Sequence, residues 1–129
     1  MRTILLLIFI ALNIFFILLA TAYSSDWVYV GSDKVGDKHY LDRGTVRFNG
    51  PVVTFWDKNT DRKGEEMKTK YSIHCENKTA AIREIIAYSS DGAVLKSYSC
   101  KDKELRWLKI PPDSIVSSFY DTLCTDRDR

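Results

Sequence analysis

The sequence predicts an α+β domain: a single antiparallel β-sheet of about six strands, packed by one C-terminal α-helix. Three observations carry this expectation. Short β-branched and aromatic runs are separated by tight-turn residues. One segment near the end changes to a helical period. An antiparallel sheet has two faces, and this lone amphipathic helix is available to cover one of them.

The chain opens with a segment that does not belong to the sheet. Met1-Arg2-Thr3 is short and positively charged, Ile4 to Leu19 is apolar apart from Asn13, and Ala20-Thr21-Ala22 supplies an A-x-A cleavage site. That order defines a secretory signal peptide, so residues 1–22 are set apart and residues 23–129 form one domain starting at Tyr23. The apolar run falls just short of the ~18–20 residues of a spanning helix, which makes an uncleaved anchor the weaker reading. No membrane span is expected after cleavage. No Cys closes the apolar run, so there is no lipid-attachment site of the bacterial lipoprotein kind.

Trp27 to Val30 is β-rich and ends at Gly31. His39-Tyr40-Leu41 is a second short run. Thr45 to Phe48 alternates, Asn49-Gly50 is a hairpin turn, and Val52 to Trp56 returns from it. Pro51 sits where a strand tolerates a missing N–H. Asp57 to Lys70 is polar and charged, and reads as an exposed loop whose ends extend the flanking strands. Tyr71 to Cys75, Ala81 to Tyr88 and Ala93 to Ser99 form a meander through turns at 76–79 and at Asp91-Gly92. A charged connection, 101–104, precedes the short run Leu105 to Leu108. Pro111-Pro112-Asp113-Ser114 then opens the helix, expected over about 113–124 with Asp113 or Ser114 as its cap. Ile115, Phe119 and Leu123 form its apolar stripe. The tail from Thr125 is charged and expected to fray.

The 107 residues after Ala22 suffice for one modest core. The chain carries 19 Lys and Arg against 17 Asp and Glu, a net charge of +2, which falls to +1 without Arg2. That excess is too small for nucleic acid to be the main partner. All three cysteines, Cys75, Cys100 and Cys124, follow the leader, so export implies one disulfide and one remaining thiol. In the meander, Cys75 and Cys100 are separated by an intervening strand. Two strand spacings are about 9.5 Å, beyond the roughly 7 Å between Cα atoms that a disulfide spans. Cys124, at the end of the covering helix, can reach either partner. A Cys75–Cys124 bridge would close a loop of about 50 residues and contribute roughly 4 kcal/mol.

These residues resemble the surface-adhesin E family of small exported domains in Gram-negative bacteria, over about 27–124. The resemblance rests on Trp27-Val28-Tyr29-Val30, Tyr40-Leu41-Asp42, Thr45-Val46-Arg47 and Val53-Thr54-Phe55-Trp56. It continues through Cys75, Arg83, Tyr88-Ser89-Ser90-Asp91-Gly92-Ala93-Val94, Ile110-Pro111-Pro112-Asp113-Ser114 and Cys124. It implies an antiparallel sheet with a C-terminal helix, a Cys75–Cys124 bridge and adhesion to host matrix proteins. The family's best-known member is a lipid-anchored outer-membrane adhesin. This chain lacks the anchoring Cys and adds Cys100, so a periplasmic or released protein fits better.

No catalytic, metal or cofactor motif is present, and the chain reads as a non-enzyme. His39 and His74 read as surface or partly buried side chains; His74 and Cys75, adjacent on a strand, point to opposite faces and cannot chelate together. Asp42, Asp57 and Glu84 read as exposed strand or turn carboxylates. Asn77-Lys78-Thr79 matches a glycosylation sequon but reads as a turn. Trp27, Trp56 and Trp107 read as core residues. The candidate binding loop holds Lys58, Arg62, Lys63, Lys68 and Lys70. The expected function is an exported, non-catalytic, adhesin-like protein engaging an extracellular matrix or envelope partner. The alternative is a soluble periplasmic envelope accessory or an inhibitor of a secreted enzyme.

Overall fold

In a computed structural model, residues 1–21 and 25–125 are described. The junction after Ala22 and the tail from Asp126 lie outside the described residues. Helix α1 spans Arg2–Thr21, and its side chains through Phe15 are exposed. Among the described residues, no helix is long and apolar enough to cross a membrane.

Six strands follow as an antiparallel meander: β1 Trp27–Ser32, β2 Lys38–Asn49, β3 Val52–Thr60, β4 Glu66–His74, β5 Thr79–Tyr88 and β6 Val94–Ser99. The expected fold class holds, with a short seventh strand added: β7, Leu108–Lys109, pairs with the start of β5. β6 pairs with the far end of β5, so β6 and β7 share one edge of it. The runs expected at 39–41 and 45–48 are a single strand, β2, whose register shifts between Asp42 and Arg47. Thr45 holds that irregularity together: its Oγ1 donates to the Asp42 carbonyl at 2.8 Å and accepts the Trp56 N–H at 3.1 Å.

The stretch 57–70 is not a loop. β3 and β4 stay paired from Val52↔His74 out to Thr60↔Glu66, leaving only 61–65 as the turn. The reason is that polar residues fill inward positions. Asp57, Asn59 and Thr69 are buried, which hides the usual alternation.

Three hairpin turns at one end of the sheet share one geometry. In 33–37, 61–65 and 89–93 the first residue's N–H donates to the fifth residue's carbonyl, and a glycine at position four donates back to the first. Gly36, Gly64 and Gly92 all take φ between 80° and 93°, a left-handed conformation that a Cβ would strain. In the first two turns, an aspartate at position one accepts backbone N–H groups within its own turn.

Helix α2, Ile115–Cys124, covers one face. Ser114 is its cap, accepting the Ser117 N–H at 3.1 Å, and Asp113 before it takes a φ of 57°. Phe119 is fully buried against Leu41, Val53, Phe55 and Ile73. It meets Phe55 edge-on, with ring centroids 5.0 Å apart. Cys75 and Cys124 form the disulfide, Cα atoms 5.5 Å apart, and Cys100 is free. The Tyr120 hydroxyl adds a hydrogen bond to the Cys75 carbonyl at 3.2 Å. None of the three tryptophans is in the core. Trp27 and Trp56 are half-buried on the opposite face, and Trp107 is exposed beside His74. The covered face is filled by phenylalanine and aliphatic side chains, so the indoles keep their polar N–H on the wetter side.

Candidate binding face

β3 sets the arrangement of both faces. Val53, Phe55, Asp57 and Asn59 point under α2, while Thr54, Trp56, Lys58 and Thr60 point away from it. Strand pairing carries that outward set across the sheet. One row runs Tyr29, Tyr40, Lys58, Lys68, Ile86; the next runs Trp27, Asp42, Trp56, Lys70, Glu84.

Lys58 and Lys68 face each other directly across β3 and β4. Like charges in that position repel. Aromatic rings offset the repulsion. The Lys58 Nζ lies 4.5 Å from the Trp27 ring centroid and 5.6 Å from that of Tyr40. Lys68 lies 5.8 Å from Trp27 and 5.2 Å from Tyr88, and Lys70 lies 6.0 Å from Trp56. Such contacts are worth about 0.5–1 kcal/mol each at exposed sites. Lys68 also pairs with Glu66 at 3.8 Å. Among the described residues, Lys58 and Lys70 have no carboxylate within ion-pair distance. Asp42, in the same rows, is buried and occupied: it accepts the N–H groups of Asp26 and Gly44 at 2.8 and 3.0 Å.

Of the five basic residues assigned to a loop, Lys58, Lys68 and Lys70 therefore stand on this open face. Arg62 and Lys63 are exposed in the 61–65 turn at its end. The residues missed are the aromatic partners Trp27, Tyr40, Trp56 and Tyr88. Their signal is the spacing of two, Tyr40 to Asp42 and Trp56 to Lys58, which puts each pair on one face.

His39 departs from the sequence reading. It is buried, with Nδ1 2.9 Å from Asp57 Oδ2 and Nε2 3.0 Å from Asp33 Oδ2. Burial alone would lower its pKa, but the hydrogen bonds and charges of Asp57 and Asp33 outweigh it and hold the imidazole above its ordinary 6.5. Only an imidazolium can donate from both nitrogens to two carboxylates. Asp57 is likewise buried rather than exposed, with 1% of its surface accessible, because His39 satisfies one of its oxygens. Both ring nitrogens are thus committed, and the ring is a structural tie between the 33–37 turn and β3. His74 is half-buried, and its Nδ1 accepts the Asn77 N–H at 3.1 Å. The Cys100 thiol donates to the Lys101 carbonyl at 3.4 Å. Among the described residues, no cluster of His, Cys, Asp and Glu is placed to hold a metal ion.

The site thus sits on a disulfide-stapled sheet with a helix on one side and an open aromatic–lysine face on the other. The family model for Surface-adhesin protein E matches residues 27–125, and the chain belongs to that family. No curated protein matches the chain, and no solved structure does.

Proposed function

We propose that this chain is an exported, non-catalytic binding protein that engages an extracellular matrix or envelope protein through its open sheet face. The observation that carries the reading is the trio Lys58, Lys68 and Lys70, set over Trp27, Tyr40, Trp56 and Tyr88. Aromatic side chains concentrated on one surface are what protein interfaces enrich, and Lys58 and Lys70, with no carboxylate in ion-pair distance among the described residues, favour an acidic counterpart. Arg62 and Lys63 extend the cationic edge. The leader expected in residues 1–22 would be removed at Ala22, delivering a periplasmic or released domain.

Deleting 58–70 would remove paired halves of β3 and β4, so point substitution is the sharper test. Lys58→Ala with Lys70→Ala should weaken capture of matrix or envelope proteins at least tenfold while the protein stays folded, checked by a retained cooperative thermal transition. Undiminished capture by that double variant removes this face from the account. Mass mapping of the mature N-terminus tests export: a chain that begins at Met1 refutes cleavage.

A further inference from the structure

The face under α2 is only partly roofed. α2 packs over β1 to β4, and its Phe119 reaches Phe55, Tyr71 and His39. Beyond it, the same face opens into a groove of about 400 Å³. Ile82 and Ile85 of β5 and Tyr98 of β6 form its floor, with Leu108 of β7 and Val116 of α2 at its sides. Ile82, Tyr98 and Leu108 remain 41%, 56% and 63% exposed. The volume falls within the ~300–1,000 Å³ of small-molecule sites, which are mostly apolar with a few placed polar groups.

The groove is built by the chain rather than left by chance. β6 and β7 divide one edge of β5, and the segment between them connects the two beside residues 81–83, which neither strand pairs. That segment is pinned at both ends: Arg83 binds Asp102, and the Ile110 N–H donates to the Lys78 carbonyl at 3.2 Å. Three charged residues line the groove: Glu104, Arg106 and Lys109. Arg106 has no ion pair among the described residues.

Size and charge choose the occupant. Two turns of α-helix, at a diameter of ~10–12 Å and a pitch of 5.4 Å, fill roughly 1,000 Å³, too much for this space. An unbranched alkyl chain of about a dozen carbons fits a space of this volume with an apolar floor. Arg106 offers a planar fork that matches a carboxylate. With Lys109 and Glu104 counted, the lining carries one net positive charge, which matches a single carboxylate rather than a head group of higher negative charge. We propose that this groove binds a long-chain carboxylate, its alkyl chain laid along Ile82, Ile85 and Tyr98 and its head on Arg106. The site is separate from the open lysine face and stands without it.

The free thiol of Cys100 lines the groove and serves as a reporter. Calorimetry with octanoate, decanoate, dodecanoate and tetradecanoate, each below its micelle concentration, should show affinity rising about fourfold per added methylene until the groove is full. Dodecanoate should slow maleimide labelling of Cys100. Arg106→Gln should weaken dodecanoate about tenfold and leave dodecanol unchanged, whereas Leu108→Glu should weaken both. Leu108 is largely exposed, so that variant keeps its fold, checked by an unchanged thermal midpoint. Affinity flat across chain length, binding only above the micelle concentration, or an Arg106→Gln loss equal for acid and alcohol overturns the proposal. Tighter binding of a flat aromatic probe than of dodecanoate overturns it as well.

Discussion

The two faces of the sheet come from the same strands and obey different rules. Under α2, side chains are sorted by burial: Leu41, Val53, Phe55, Ile73 and Phe119 leave water almost completely. On the open face they are sorted by partnership, each lysine set over a ring and each ring left partly wet. Polar groups show the contrast best. On the covered side a charge persists only where another meets it, as His39 meets Asp57 and Asp33. On the open side Lys58 needs no carboxylate, because water and two aromatic rings suffice. The covered face supplies stability, and under the proposed function the open face supplies recognition, so substitutions should separate the two properties.

The largest effect should come from the staple that holds the cover in place. Cys75 and Cys124 close a span of 49 residues, and losing that constraint is worth about 4 kcal/mol in the chain-entropy model. A Cys75→Ser, Cys124→Ser double variant should lose about that much in urea unfolding. Because α2 still carries Phe119, the folded form should keep its sheet and helix signal in the absence of urea. A loss below about 1 kcal/mol would mean that apolar packing alone holds the helix.

A smaller effect should appear with pH, and only on the covered side. His39 has its pKa raised in the fold, so its contribution is complete below pH 6.5 and is lost as pH climbs through the folded value. Asp57 acts with the same sign lower on the scale. Burial raises its carboxyl above 3.8 despite the pull of His39, so stability declines as pH climbs through that interval. Asp33 opposes them in acid: the hydrogen bond from His39 lowers its pKa, and its contribution disappears as pH falls below 3.8. Urea midpoints measured from pH 5 to 9 should therefore fall with rising pH. In His39→Gln the protein should be weaker throughout and the decline above pH 6.5 should vanish. A decline of equal size in that variant would assign it to other groups.

The parts of this fold that are legible in the sequence are those where side-chain polarity and backbone direction agree. Ile115, Phe119 and Leu123 mark the helix, and Asn49-Gly50 marks its hairpin, because nothing competes with those local signals. The β3–β4 extension is hidden because Asp57, Asn59 and Thr69 occupy inward positions that normally hold apolar side chains. Their burial depends on a partner, His39, that is 18 residues from Asp57 in sequence. A local signal was nevertheless present: Asp61-Arg62-Lys63-Gly64-Glu65 repeats the pattern of Asp33-Lys34-Val35-Gly36-Asp37, and both are the same turn. The open face is partly legible. Its lysines stand out as charge, but the rings beneath them lie on other strands, and only the register brings Trp27 to Lys58. The tryptophans mislead for a related reason: large apolar area suggests a core, while the indole N–H and a lysine overhead favour the wet face.

The smallest change in stability should accompany substitution at the centre of the open face, and there the division of labour is tested most directly. Lys58→Met keeps an apolar stem over Trp27 and removes the charge. The two lost cation–π contacts, at about 0.5–1 kcal/mol each, cost about 1–2 kcal/mol. Relief of the repulsion from Lys68 directly opposite returns about 0.2–1 kcal/mol. The relief offsets part of that cost, so urea unfolding should show a loss of about 1 kcal/mol. Binding has no such offset, because an acidic partner loses one counter-charge and gains nothing from the methionine. Affinity should fall at low salt, and the difference from the unsubstituted protein should shrink as salt screens the remaining charges. If Lys58→Met instead destabilised the fold by 2 kcal/mol or more with binding intact, Lys58 would be a structural residue, and the two faces would not divide stability from recognition.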